Sequence, residues 1–590
     1  MSRHEDLRIP TLHEALEATT IPDLRPIAAS LQASLPTRKA DLVAVVEGYL
    51  RDPANLRGLL AKLDDLGRAA VSEAVHDDGS VHRQAFEAKY GGLPDFGNAS
   101  RLALLFYGDL RIPDDLSERL RPMVPRPAPA QIQGLAELPP ADADAEEGVR
   151  VRLTEHAAQA DLAALLRVCD SGKLRCSETT RRPSAATVKA VTAVLDEGDF
   201  YAETPIAAFA WPLLVQAGGL AEIAGGRLQL TARGRRALQA PAPETLKHLW
   251  NRWLDHGLID EFSRVEAIKG QQASGGRNLT AVPPRRRAVA AALAGAPPQR
   301  WIAVDGFFAF MQAAGHDFAV VRDTWHLYIG DPQYGNFGYA GYGDWSVIQG
   351  RFVLCLLLEF AATLGLIDVA YVDPTWARDD YRDQWGTDDL DALSRYDGLR
   401  FFRVNALGAY SVGRAEHYQP SPQIAASGRP ILRLLPNLDL VFTGRRLPPA
   451  DALLLERYTE VRSAGVWTLR REKLLAAVAR GEGPQELEQF LRERTEPPLP
   501  DTAADLLAEV RERAGRLSDL GAVRLVECAD ANLALLLAHD RRLRGHCRLF
   551  GERHLAVPAE HEERFRQALW EVGYALPPAG AGGSAGAARP

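Results

Sequence analysis

Gly219–Arg236 reads GLAEIAGGRLQLTARGRR. Gly219-Leu220-Ala221-Glu222-Ile223 and Arg227-Leu228-Gln229-Leu230-Thr231 flank Ala224-Gly225-Gly226. Short alternating runs around paired glycines predict a tight β-hairpin. Thr231 then caps a helix that begins Ala232-Arg233-Gly234-Arg235-Arg236. Upstream, Asp161–Val168 has the spacing of an amphipathic helix, and Gly172-Lys173-Leu174-Arg175 reads as a turn and short strand. Thr179–Ser184 leads into a helix over Ala185–Leu195, with Pro183 at its first turn, where a missing N–H costs nothing.

Helices, then a hairpin, then Leu-Thr-x-x-Gly is the layout of a winged helix, expected here over 150–240. Residues entering and lining its recognition helix would face DNA phosphates, which need cationic and hydroxyl donors. That assigns Lys173, Arg175, Thr179, Arg181, Arg182, Ser184, Thr187 and Lys189, with Arg227 on the hairpin; the alternative is a solvated helix face. A second unit with an insertion is expected over 241–415. It has a helix at Arg285–Ala294, a buried helix at Phe352–Leu364, strands at Gly365–Tyr371 and Leu399–Val404, and a close at Leu407–Tyr410. Winged-helix units dock proteins as often as they read DNA.

The chain has 590 residues, about four domains' worth at ~150 residues each. Its 46% hydrophobic and 25% charged residues are those of an ordinary globular protein. Its net charge of −8 excludes a uniformly basic coat but not local basic patches. Five cysteines cannot build a disulfide framework, and Cys169 and Cys176 lack the close His/Cys companions of a zinc site, so a reduced, cytoplasmic, metal-free protein is expected. Residues 121–149 (Pro, Ala and acid) and 416–430 read as linkers, and 577–590 as a disordered tail.

In the N-terminal region, 1–120, two short amphipathic helices over 21–50 meet at Leu35-Pro36-Thr37. Arg38 and Lys39 open the second, so the pair resembles a SAP-like DNA-binding hairpin, or is a plain helical one. A further winged-helix candidate lies at 54–120. Between Arg233 and Arg287 eleven Lys or Arg stand against five Asp or Glu, and Arg285, Arg286 and Arg287 close that basic stretch. It would attract phosphate or match charge at an interface. Tyr334, Phe337, Tyr339, Tyr342 and Trp345 lie among glycines, where they would stack single-stranded bases or pack their own loop.

The sequence lacks G-x-x-x-x-G-K-[ST], H-E-x-x-H and C-x-x-C. Asp379, Asp380, Asp388 and Asp389 would serve a metal nuclease only by converging with a lysine, and solvated loop charge is the preferred reading.

The C-terminal body, 431–576, runs Leu434–Val441, Leu447-Pro448-Pro449, Leu455–Tyr458, Val466–Leu469, Glu472–Gly481, Glu486–Leu491, Leu499-Pro500, Ala508–Arg513 and Gly521–Leu525. This order resembles the N-terminal, non-motor domain of XPB-type helicases and bacterial helicase-associated domains. The resemblance implies a small α+β unit that docks partners, without motor activity. The expected fold is therefore α+β and mainly helical, an array of winged-helix-like units closed by this domain. The expected function is a non-enzymatic, cofactor-free DNA-binding scaffold, with DNA and a helicase as partners. A winged-helix transcription regulator, or a docking subunit of a repair or phage-defence complex without DNA contact, are the alternatives.

Overall fold

A computed structural model describes residues 11–31, 34–140, 148–273, 276–339, 345–421, 431–444, 446–480, 483–514, 516 and 521–577. Most of the second expected linker, Tyr342 and nearly all of the expected tail lie outside these residues. The described chain is α+β and mainly helical, and it divides into two compact units. One is formed by residues up to Leu432 together with Phe442–Arg457, the other by Arg433–Val441 and the residues from Tyr458 on.

The first unit opens with α1 (Leu12–Ala18), α2 (Ile21–Ala29), α3 (Lys39–Arg51), α4 (Pro53–Ala61), α5 (Asp65–His76), α6 (Arg83–Tyr90) and α7 (Asp114–Leu120). Leu24, Ile27 and Ala28 of α2 and Leu42, Val43, Val46 and Leu50 of α3 are buried, the positions their 3.6-residue spacing requires. In the 54–120 stretch, strand structure is limited to single bridges joining Ser80, Tyr107 and Arg111. The stretch from 121 is extended, as its prolines dictate, but its described residues are not a free linker. Leu135 exchanges both backbone hydrogen bonds with Trp301 (2.8 and 2.9 Å), and the Val124 and Pro125 carbonyls accept from His76 and Ser72.

Two repeats follow. The first has β1 (Arg150–Arg152), α8 (Thr154–Asp170), a bridge at Arg175, α9 (Ala185–Thr192), α10 (Ala207–Ala217), the hairpin β2 (Ala221–Ala224) and β3 (Arg227–Leu230), and α11 (Ala232–Ala237). After α12 (Ala242–Asp255) and a small hairpin, β4 (Gln272–Ala273) and β5 (Gly276–Arg277), the second begins. It comprises α13 (Val282–Gly295), β6 (Trp301–Ala303), α14 (Val304–Ala313), α15 (Trp345–Cys355) running into a π-helical turn over Leu356–Ala361, β7 (Ile367–Tyr371), β8 (Leu399–Val404) and α16 (Ala406–Ser411). Its sheet has the order β1-β7-β8-β6, so β1 of the first repeat completes the sheet of the second.

The repeats share one local device. Gly219 and Gly365, at φ +67° and +74°, end α10 and the π-helical turn, and the next N–H, of Leu220 or Leu366, returns to the carbonyl five residues back (both 2.9 Å). Thr231 and Asn405 donate their N–H to the Leu220 and Leu366 carbonyls (3.0 and 3.3 Å). Their side-chain oxygens accept from the N–H of Gly234 and Gly408 (3.1 and 2.9 Å). Each glycine sits so close to that leucine carbonyl that a Cβ would lie 2.0 or 1.9 Å from its oxygen.

One buried carboxyl makes the first repeat sensitive to pH. Asp161 accepts the Asp196 N–H at 2.6 Å, and burial pushes its carboxyl up to about 7 from 3.8. The folded state thus keeps a proton that the unfolded chain releases near pH 4. The stability Asp161 contributes is full below that pH and is lost as pH rises toward 7. Asp161→Asn retains the acceptor oxygen and removes the titration. Thermal melts should show its advantage over wild type growing by about 3 kcal/mol between pH 4.5 and pH 8; an unchanged difference would refute this.

In the second unit the strand expected over Leu434–Val441 is two, β9 (Leu432–Leu434) and β10 (Asp439–Phe442). Pro436-Asn437-Leu438 interrupts it, with Leu438 at φ +70°. The chain then passes through α17 (Pro449–Tyr458), which belongs to the first unit up to Arg457, and the second unit resumes with β11 (Thr459–Ser463), β12 (Val466–Leu469), α18 (Arg471–Ala479), α19 (Pro484–Arg494) and α20 (Asp501–Ala514). The chain continues through β13 (Val523–Glu527), α21 (Ala531–His539), β14 (Arg548–Phe550), β15 (His554–Pro558) and α22 (Glu562–Glu571). The sheets run β11-β12-β10-β9 and β13-β15-β14.

Candidate nucleic-acid interface

Leu174, Cys176, Leu228 and Leu230 point into the core of the first repeat. By the two-residue period of extended chain, Lys173, Arg175, Arg227 and Gln229 face outward. Gly225 and Gly226, at φ +57° and +71°, make the primed turn that joins β2 to β3. Arg175 and Arg227 are direct antiparallel bridge partners. Like charges opposed across strands repel, and among the described residues the side chains of Lys173, Arg175 and Arg227 form no ion pair or hydrogen bond. Glu222, opposite Gln229, is the acidic residue of β2 on this face.

The hydroxyls expected to meet phosphate have a different task. Thr187 is 1% exposed, and its Oγ1 both donates to the Arg175 carbonyl and accepts the Arg175 N–H, each at 2.7 Å. Ser184 caps α9, accepting the Thr187 N–H at 3.2 Å. Both residues fasten the Arg175 strand to α9. Thr179, Arg181, Arg182 and Lys189 are exposed; Arg182 reaches Ser263 (3.3 Å), and the Arg181 carbonyl accepts from Gln216 (3.1 Å).

The recognition helix expected at Ala185–Leu195 is one element too early: the helix that enters the hairpin is α10. Its sequence, AAFAWPLLVQA, leaves only Phe209 and Gln216 partly exposed. α15 and its π-helical turn, in the same position of the second repeat, are buried almost throughout. α10 packs against that turn, and the two repeats share a single apolar cluster. Arg264 lies over Phe209 of α10 (3.7 Å) and donates through Nε to both Glu359 carboxylate oxygens at 3.2 Å, while the Tyr396 hydroxyl donates to the same carboxylate. Burial pushes the Glu359 carboxyl up, against the pull of Arg264. Neither helix can enter a groove.

Arg285 and Arg286, expected at a DNA surface, are 1% and 0% exposed. Arg285 holds Asp260 in two parallel bonds (3.0 and 2.6 Å). Arg286 binds Glu261 (2.6 Å), the carbonyls of Trp253, His256 and Ile259, and the Trp253 ring face. They fasten the 256–264 segment to α13. Arg287 is exposed but paired with Asp255 (2.5 Å). With Arg264, four cations of the basic stretch are thus neutralised internally. In the N-terminal body Arg38 is exposed at the start of α3, and Lys39 donates to the Glu17 carbonyl.

The aspartates weighed as a nuclease site do not converge. Asp380 is held by Arg351 (two bonds of 2.7 Å) and Arg378 (3.0 Å). Burial raises its carboxyl, but these partners outweigh it and hold it below its ordinary range. Among the described residues, the group of three or more potential metal ligands that do approach one another is Asp77, Asp78 and His82, all exposed. Of the glycine-flanked aromatics, Phe337 and Trp345 are buried and Tyr334 is exposed. Compared with known proteins, the chain matches no family model and no curated protein.

The sequence carried a sign of the buried α10 that periodicity did not use: eleven residues without a charge. The pairing of Arg285 and Arg286 joins residues 25 positions apart, and no local pattern marks it.

Proposed function

We propose that the chain is a non-catalytic, DNA-binding scaffold whose first winged-helix unit grips the phosphate backbone with its wing. The observation that carries this reading is the opposed, unpartnered Arg175 and Arg227, with Lys173 beside them. Bringing a polyanion onto that face would relieve their repulsion and release counterions. The burial of α10 and α15 favours backbone contact over operator recognition, because base reading needs an exposed element. The second unit, through its resemblance to the XPB-type non-motor domain, is the part proposed to dock a partner such as a helicase.

Fluorescence anisotropy on labelled duplex and single-stranded DNA, from 50 to 300 mM salt, tests the wing. Binding should fall steeply with salt and be indifferent to sequence. Arg175→Ala/Arg227→Ala should weaken it about tenfold and lower the log–log salt slope by about two. No binding at 50 mM salt, or a double variant that binds like wild type, would leave the docking scaffold without DNA contact as the better reading.

A further inference from the structure

Opposite in chemistry to the wing is a surface formed by residues 323–339 and 372–398 of the first unit. It exposes Tyr334, Trp376 and Trp385 to 64, 61 and 53%. Tyr334 and Trp385 have ring centroids 5.7 Å apart. Gly330 and Gly386 lie close together beneath them, so the two loops form one surface. The Trp376 backbone N–H donates to the Asp391 carbonyl (2.7 Å), and the Arg382 guanidinium sits 4.1 Å from the Trp376 ring centroid. Exposed large aromatics gathered in this way mark an interaction surface more often than chance placement.

Charge decides what such a surface can hold. Residues 373–397 contain eight aspartates against Arg378, Arg382 and Arg395, and 323–339 add Asp323 and Asp331 with no Lys or Arg. Asp380 and Asp397 are neutralised by Arg351. Asp383, Asp388, Asp389 and Asp391 are exposed, and among the described residues their side chains form no ion pair. A nucleic acid would find rings for stacking here but would be repelled by the carboxylates. A guanidinium finds both of the groups it binds best, an aromatic face and a carboxylate. Arg382 on Trp376 is the arrangement in miniature.

We infer that this aromatic, acidic surface docks an arginine-rich segment of a partner protein. The inference stands apart from the DNA-gripping wing, since it uses none of the wing residues.

The test uses the full chain and a fluorescein-labelled octa-arginine peptide, read by anisotropy. Tyr334→Ala/Trp385→Ala and, separately, Asp383→Asn/Asp388→Asn/Asp389→Asn should each weaken binding at least tenfold. Both sets are exposed, so melting temperatures should stay at the wild-type value. Glu118→Gln/Glu178→Gln/Glu203→Gln removes the same charge from other exposed positions and should bind like wild type. Equal weakening by that control would reduce the effect to general charge and overturn the inference. So would an aromatic variant that keeps the peptide but loses affinity for a single-stranded oligonucleotide, which would make the surface a base-stacking platform.

Discussion

Glu359→Leu should cost about 4 kcal/mol of stability, read as the shift in urea midpoint followed by circular dichroism. The substitution strands the Arg264 guanidinium between α10 and the π-helical turn, and a guanidinium cannot escape by losing its proton. Arg264→Met is expected to cost less. It leaves a carboxyl that burial already pushes upward and that can take up a proton while keeping the Tyr396 hydroxyl. Its penalty should therefore grow with pH, whereas that of Glu359→Leu should not. The double variant, with both charges gone and apolar volume retained, should recover most of the loss. Glu359→Leu tolerated at wild-type stability would show that this buried pair does not join the repeats.

Gly234→Ala and Gly408→Ala should each destabilise by about 3 kcal/mol, a large value for one methyl group. Each added Cβ would lie about 2 Å from a backbone carbonyl oxygen that already accepts the N–H of the helix cap. That carbonyl belongs to the residue just before β2 or β7, so relieving the clash means moving the hairpin off its closing helix. Differential scanning calorimetry reads the loss directly. Near-neutral alanines would mean that the closing helices are loosely held.

The hairpin was legible because its signals are local: alternation over four residues and a glycine pair. The second repeat was legible only as a layout, since its hairpin is split by the 27 residues between β7 and β8. The residues the repeats share, Gly-Leu before the hairpin and Thr/Asn-x-x-Gly after it, become visible once the strands are paired. The site was read less well. Arg175, Arg181 and Arg227 are where a surface role requires them. Arg285 and Arg286 are not, because a run of cations tells how much charge is present and nothing about the Asp260 and Glu261 that meet it. Thr187 offers a hydroxyl, but the fold uses it internally.

The burial of α10 against the π-helical turn also limits how such a protein can change over evolutionary time. In a free-standing winged helix the outward residues of this helix can vary at little cost to the fold, and new specificities arise there. Here the same positions are shared masonry between two repeats, where a substitution on either helix would loosen both. Sequence drift that leaves the joint intact is thereby confined to the hairpin and the long loops.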